Sequence, residues 1–165
     1  MTQFKKILEI FYDNQIEFVL IGGLAAVIHG SASATEDVDL SYDRNLENTK
    51  KIVKTLNPYH VRLRGAEDVP FIFDEQTFKH SVNLTLMTDL GAIDLLGEIP
   101  GYESYDLILA DSDTVLLYDK KFKVLSLDGL IKNKKATGRN KDLKQLDELE
   151  ELRKMQQQKS NRSEK

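Results

Sequence analysis

The sequence predicts an α/β (α+β) fold: a mixed sheet flanked by helices, with further helices at the C-terminal end. Three observations predict it. Stretches with apolar residues at helical spacing alternate with short apolar or alternating runs. Two pairs of strand-like runs are each joined by a short turn. The chain then finishes in helix-like stretches, one of which repeats Leu143, Leu146, Leu149 and Leu152 at intervals of three.

In order along the chain, Phe4, Ile7, Leu8 and Phe11 lie on one face of a helix over 3–14. The run Phe18-Val19-Leu20-Ile21 is a buried strand ending at Gly22-Gly23. A short helix follows over 24–29, stopped by Gly30, and 31–35 is a loop of small and polar residues. Val38, Leu40 and Tyr42 alternate with Asp37, Asp39 and Ser41, which marks a half-buried strand. Residues 45–56 form a helix with Asn45 as its N-cap. A short strand is expected at 61–64, whereas 65–80 has no readable period. Two antiparallel strands follow, 82–89 and 92–99, turning at Leu90-Gly91. A helix over 102–110 precedes a second hairpin, 114–119 with 121–126. Helices over 127–135 and 139–157 complete the fold. Residues 1–157 are thus expected to be one domain, and the polar stretch 158–165 a disordered tail.

Bulk composition narrows the function classes. The 165 residues suffice for one α/β core, and 41% hydrophobic with 30% charged is ordinary for a soluble protein. With no cysteine there is no disulfide, zinc-thiolate site or thiol nucleophile. The first residues mix charges with apolar groups, unlike a secretion signal, and no apolar run reaches the roughly 18 residues of a membrane span. A cytoplasmic protein without membrane attachment is expected. A net charge of -4 argues against a globally basic nucleic-acid binder, though not against a local basic patch.

The chemistry gathers in Ile21-Gly22-Gly23 through Asp37-Val38-Asp39-Leu40. Residues i and i+2 of a strand share a face, so Asp37 and Asp39 project together while Val38 and Leu40 face the core. Two carboxylates that close repel, and a divalent cation is a common remedy. Asp94 interrupts an otherwise apolar strand, Ala92-Ile93-Asp94-Leu95-Leu96, where a charge must lie at an edge, be paired or act as a ligand. Joined to the first two, it makes a site able to hold two metals and to orient a hydroxyl against a phosphate. Gly22-Gly23, where strand turns into helix, allows close backbone approach to a phosphate.

The combination resembles the DNA polymerase β-like nucleotidyltransferase superfamily, whose pattern is h-G-[GS], then [DE]-h-[DE]-h, then h-[DE]-h. Here the three parts are Ile21-Gly22-Gly23, Asp37-Val38-Asp39-Leu40 and Ile93-Asp94-Leu95. Small prokaryotic members, among them AbiEii-type toxin nucleotidyltransferases, share further positions: Ala25, His29-Gly30 and Thr35, and a stretch like Lys135-Ala136-Thr137-Gly138-Arg139-Asn140-Lys141-Asp142. Where such relatives often carry Arg, this chain has Ser33. Either nucleotide binding is weaker or another cation substitutes. The resemblance spans roughly 15–150 and implies a nucleotidyltransferase-like mixed sheet with C-terminal helices. It implies that Asp37, Asp39 and Asp94 hold Mg²⁺ (or Mn²⁺), with Asp94 helping to activate the acceptor. Gly22, Gly23, Thr35, Lys135 and Arg139 would serve the nucleotide.

The expected function is therefore transfer of NMP from an NTP to a hydroxyl on RNA, a protein or a small molecule. By family analogy the chain is also a candidate toxin with an antitoxin partner. The rival is a catalytically inactive nucleotide- or partner-binding module on the same fold; a phosphotransferase is a weaker third. Several residues read two ways. His29 is a site histidine or a packing one. Lys135, Arg139 and Lys141 are phosphate contacts or a solvated helix end. Tyr102, Tyr105 and Tyr118 stack on a base or belong to the core. Asp111 and Asp113 repeat the D-x-D spacing without a Gly-Gly before them and are taken as loop carboxylates.

Overall fold

A computed structural model describes residues 1–164, the side chain of Lys141 excepted. In chain order the elements are α1 (Phe4–Asp13), β1 (Phe18–Ile21), α2 (Gly22–Ile28), β2 (Asp37–Tyr42), α3 (Leu46–Leu56), β3 (Arg62–Leu63), α4 (Glu75–His80), β4 (Asn83–Thr88), β5 (Gly91–Leu96), α5 (Tyr105–Ala110), β6 (Ser112–Leu117), β7 (Lys120–Leu125), α6 (Leu127–Thr137) and α7 (Asn140–Ser163). The seven strands form one sheet in the order β3-β4-β5-β2-β1-β7-β6. The sheet is mixed: β1 runs antiparallel to β2, while β2–β5 and β1–β7 are parallel. Both expected hairpins are present, as β4–β5 and β6–β7.

Strand β1 is apolar throughout because both its faces are covered. All four residues of β1 are buried, and Val38, Leu40, Ile93 and Leu95 lie fully inside. Helix α1 buries Ile7, Leu8, Ile10 and Phe11, the stripe read from its spacing. Helix α2 packs on β1, β2 and α6, and α5 packs on β2 and β7. Asn45 caps α3 by accepting from the Asn48 amide at 2.9 Å.

The stretch without a readable period contains α4. Its start is a capping box in which Asp74 accepts from the amides of Gln76 and Thr77 and the Thr77 hydroxyl accepts from the Asp74 amide. Helix α7 runs on to Ser163, through residues where the sequence predicts an unstructured tail. Gln, Lys and Arg there are good helix formers, so the helix continues without a buried face. Among the described residues, no helix is long and apolar enough to cross a membrane.

Candidate active site: a carboxylate triad beside a glycine turn

Register across the sheet builds the site. Asp39 on β2 pairs with Ile21 on one side and with Asp94 on the other. Asp94 in turn faces Thr85 of β4. Paired residues share a face of the pleat, so Asp39 and Asp94 point the same way, and Asp37 joins them two residues earlier. One carboxylate oxygen from each lies within 4.8 Å of the others, and the three could hold a metal ion. All three side chains are partly exposed, so a cation can reach them from solvent.

Asp39 feels the crowding most. Burial, then the charges of Asp37 and Asp94, push its carboxyl up to about 7, and it shares a hydrogen bond with Asp94. Asp94 is also raised, by burial first, although Arg64 pulls the other way. The protein neutralises the cluster only in part. Arg64 Nη1 donates to Asp37 at 3.3 Å and Nη2 donates to Asp94 at 2.7 Å. An all-oxygen ligand set with excess negative charge suits a hard divalent cation such as Mg²⁺ or Mn²⁺.

The glycines are tied to this cluster. Gly22 has φ +62, and a Cβ there would overlap the Asp39 carboxylate. The Gly23 amide donates to Asp39, and a Cβ on Gly23 would press on Thr35 Oγ1 at 2.7 Å. Thr35 Oγ1 donates to the Asp37 carbonyl at 3.2 Å and approaches its carboxylate at 3.5 Å. The two glycines thus let the start of α2 sit directly against β2 and the loop before it.

The remaining candidates lie further out. Lys135 pairs with Glu150 at 3.2 Å, and Arg139 pairs with Asp142 at 2.9 Å, both within the α6–α7 hairpin. Lys134, not singled out from sequence, lines a small pocket with Gly22, Gly23, Ser31 and Ser33 while also pairing with Asp142 at 3.1 Å. The side chain of Lys141 lies outside the described residues. His29 Nε2 donates to the Leu125 carbonyl at 2.8 Å, as a packing histidine does. Tyr102 bonds to Asp111 and lies under Lys132, whose Nζ is 4.3 Å from the ring centre; Asp111 also accepts from Ser126 Oγ at 2.9 Å. Tyr105 lines a cavity of about 710 Å³ at the opposite end of β1 and β2, with Tyr12, Phe18, Asp43 and Lys121. Tyr118 is exposed beside Lys5.

Two contacts join residues far apart in the sequence. Arg64 follows a two-residue edge strand, and nothing in its local sequence tells that β3 brings it to Asp94. Glu148 on α7 accepts from Ser31 Oγ (2.8 Å), the Ala32 amide (2.9 Å) and Ser33 Oγ (2.9 Å). Ser33 therefore anchors its loop to α7.

No protein-family model matches the chain, and no curated protein matches it. Solved structures do. A candidate nucleotidyltransferase from Thermotoga maritima is 18% identical, with a TM-score of 0.51 over 96% of each chain. The lincosamide antibiotic adenylyltransferase LnuA, solved with lincomycin bound, is 14% identical, with a TM-score of 0.61 over 91% of this chain and 96% of its own. At these identities the likeness is one of fold: the chain has a nucleotidyltransferase-like fold.

Proposed function

We propose that the chain is a metal-dependent nucleotidyltransferase that moves a nucleoside monophosphate from an NTP to a hydroxyl acceptor. The observation that carries this is the convergence of Asp37, Asp39 and Asp94 against the Gly22-Gly23 turn, on a fold shared with nucleotidyltransferases. Asp37, Asp39 and Asp94 would hold Mg²⁺ or Mn²⁺, which supplies charge neutralisation for the triphosphate. Gly22 and Gly23 keep side chains out of the way of the phosphates. Thr35 holds Asp37 in place. Asp94 orients the acceptor hydroxyl and takes its proton. The acceptor oxygen then bonds to the α-phosphorus as the bond to the β-phosphate oxygen breaks, and pyrophosphate leaves. Lys135 and Arg139, already paired, are assigned a lesser part as long-range attraction for the triphosphate.

The acceptor is RNA, a protein or a small molecule; LnuA, by its name, adenylylates a small molecule. A toxin role with an antitoxin partner rests on the motif resemblance alone. The test is incubation with each α-labelled NTP, Mg²⁺ or Mn²⁺, and total RNA, extract proteins or a panel of hydroxylated small molecules. Label transfer by the wild type and not by Asp39→Ala is expected. Growth arrest on expression, lost in Asp39→Ala, would be the mark of a toxin.

A second reading, a non-catalytic nucleotide- or partner-binding module, is favoured by the Arg64 ion pairs, which already satisfy two of the carboxylates. It predicts NTP binding without label transfer to any acceptor.

A further inference from the structure

We propose that Arg64 is the phosphate-binding cation of the nucleotide site, held as the counter-ion of Asp37 and Asp94 until a divalent cation takes those carboxylates. The inference rests on the nucleotidyl-transfer reading above and adds a residue that reading does not use.

Register delivers Arg64 to the site. Leu63 pairs with Leu86, and the Arg64 amide donates to the Thr85 carbonyl at 3.0 Å. Thr85 faces Asp94, and Asp94 faces Asp39. Arg64, Thr85, Asp94 and Asp39 therefore make one row across neighbouring strands. At the end of that row the guanidinium takes one oxygen from Asp37 and one from Asp94.

A divalent ion coordinated by the triad needs the same oxygens. Two cations a few ångströms apart repel strongly in a half-buried site, so they exchange rather than coexist. Arg64 can leave. Its side chain is 27% exposed, the strand before it is two residues long at the sheet edge, and Gly65 beyond it has open space around it.

Once released, a guanidinium beside bound metal finds its best partner in phosphate oxygens, whose spacing matches its fork. Among the described residues, the other candidates for that part are engaged elsewhere. Ser33 carries no charge and binds Glu148, Lys134 and Arg139 share Asp142, and Lys135 holds Glu150. Arg64 thus supplies a cation to the triad from the edge of the sheet.

The test measures Mn²⁺ binding alone, by electron paramagnetic resonance of free Mn²⁺, in the wild type, Arg64→Gln, Arg64→Lys and Asp39→Asn. It then measures binding of inorganic tripolyphosphate in saturating Mn²⁺. Arg64→Gln should bind Mn²⁺ about tenfold tighter than the wild type, the effect of removing one nearby unit charge. It should bind tripolyphosphate about tenfold more weakly. Arg64→Lys keeps the charge but not the fork. It should hold Mn²⁺ affinity near the wild-type value while losing part of the tripolyphosphate affinity, and it stands in if Arg64→Gln does not fold. Equal Mn²⁺ affinity in Arg64→Gln and wild type overturns the inference, as does tighter Mn²⁺ binding with unchanged tripolyphosphate affinity. In both cases the metal-site reading survives if Asp39→Asn loses Mn²⁺. Absence of Mn²⁺ binding in the wild type and in Arg64→Gln overturns both readings together.

Discussion

At the residue scale, Asp39 sets the behaviour of the site with pH. Its folded carboxyl is raised to about 7, above the ordinary 3.8. Between those values the native chain holds a proton that the unfolded chain has lost. Stability from this group therefore falls as pH rises from about 4 to about 7, and the penalty is complete above that. A bound cation reverses the sign, because it favours the ionised form. Thermal melts should show Mg²⁺ or Mn²⁺ raising Tm more at pH 8 than at pH 6. Asp39→Asn should melt higher than the wild type at pH 8 in EDTA and gain nothing from metal. Gly22→Ala makes the complementary case. A Cβ at φ +62 that also overlaps Asp39 should cost on the order of 1–3 kcal/mol in denaturant melts and weaken metal binding. The shared face of Asp37 and Asp39 and the turn at Gly22 were legible in sequence because strand alternation and a glycine pair are local signals.

At the element scale, α7 is the piece whose attachment matters. Asp142 is buried under Lys134 and Arg139 near its start, and Glu148 ties the 31–33 loop to its middle. Asp142→Ala leaves Lys134 without its partner and should lower stability by roughly 1–3 kcal/mol, read from urea melts. Glu148→Ala should speed hydrogen exchange at the Ala32 amide, which loses its acceptor, while exchange in β2 stays slow. Helix α1 was readable from its apolar spacing and α3 from its N-cap Asn45. Helix α4 was not, because six residues carry too little periodicity; the Asp74-x-x-Thr77 pair was the available signal.

At the scale of the whole molecule, the sheet order places the site. Strands β2 and β5 are distant in sequence but parallel neighbours at the centre, so their aspartates meet without any loop having to be ordered. Central position should also show in dynamics. Amide exchange is expected to be slowest in β1, β2 and β5 and faster toward β3 and β6 at the edges, measurable by exchange mass spectrometry. Arg64 gains its freedom from this gradient. It stands at the edge, joined by a short strand, while the carboxylates it neutralises stand at the rigid centre.

The amino-acid sequence by itself determined the α/β class, both hairpins, the shared face of Asp37 and Asp39 and the anomaly of a charge at Asp94. Each follows from interactions within a few residues: side-chain period, turn chemistry and the cost of an unpaired charge among apolar neighbours. Only the tertiary structure decided that Asp94 completes the cluster, that Arg64 neutralises part of it, and that Ser33 binds Glu148. Those depend on strand order and on packing between elements. Residues 27, 30 and 115 positions apart meet there, and no local pattern encodes such a meeting.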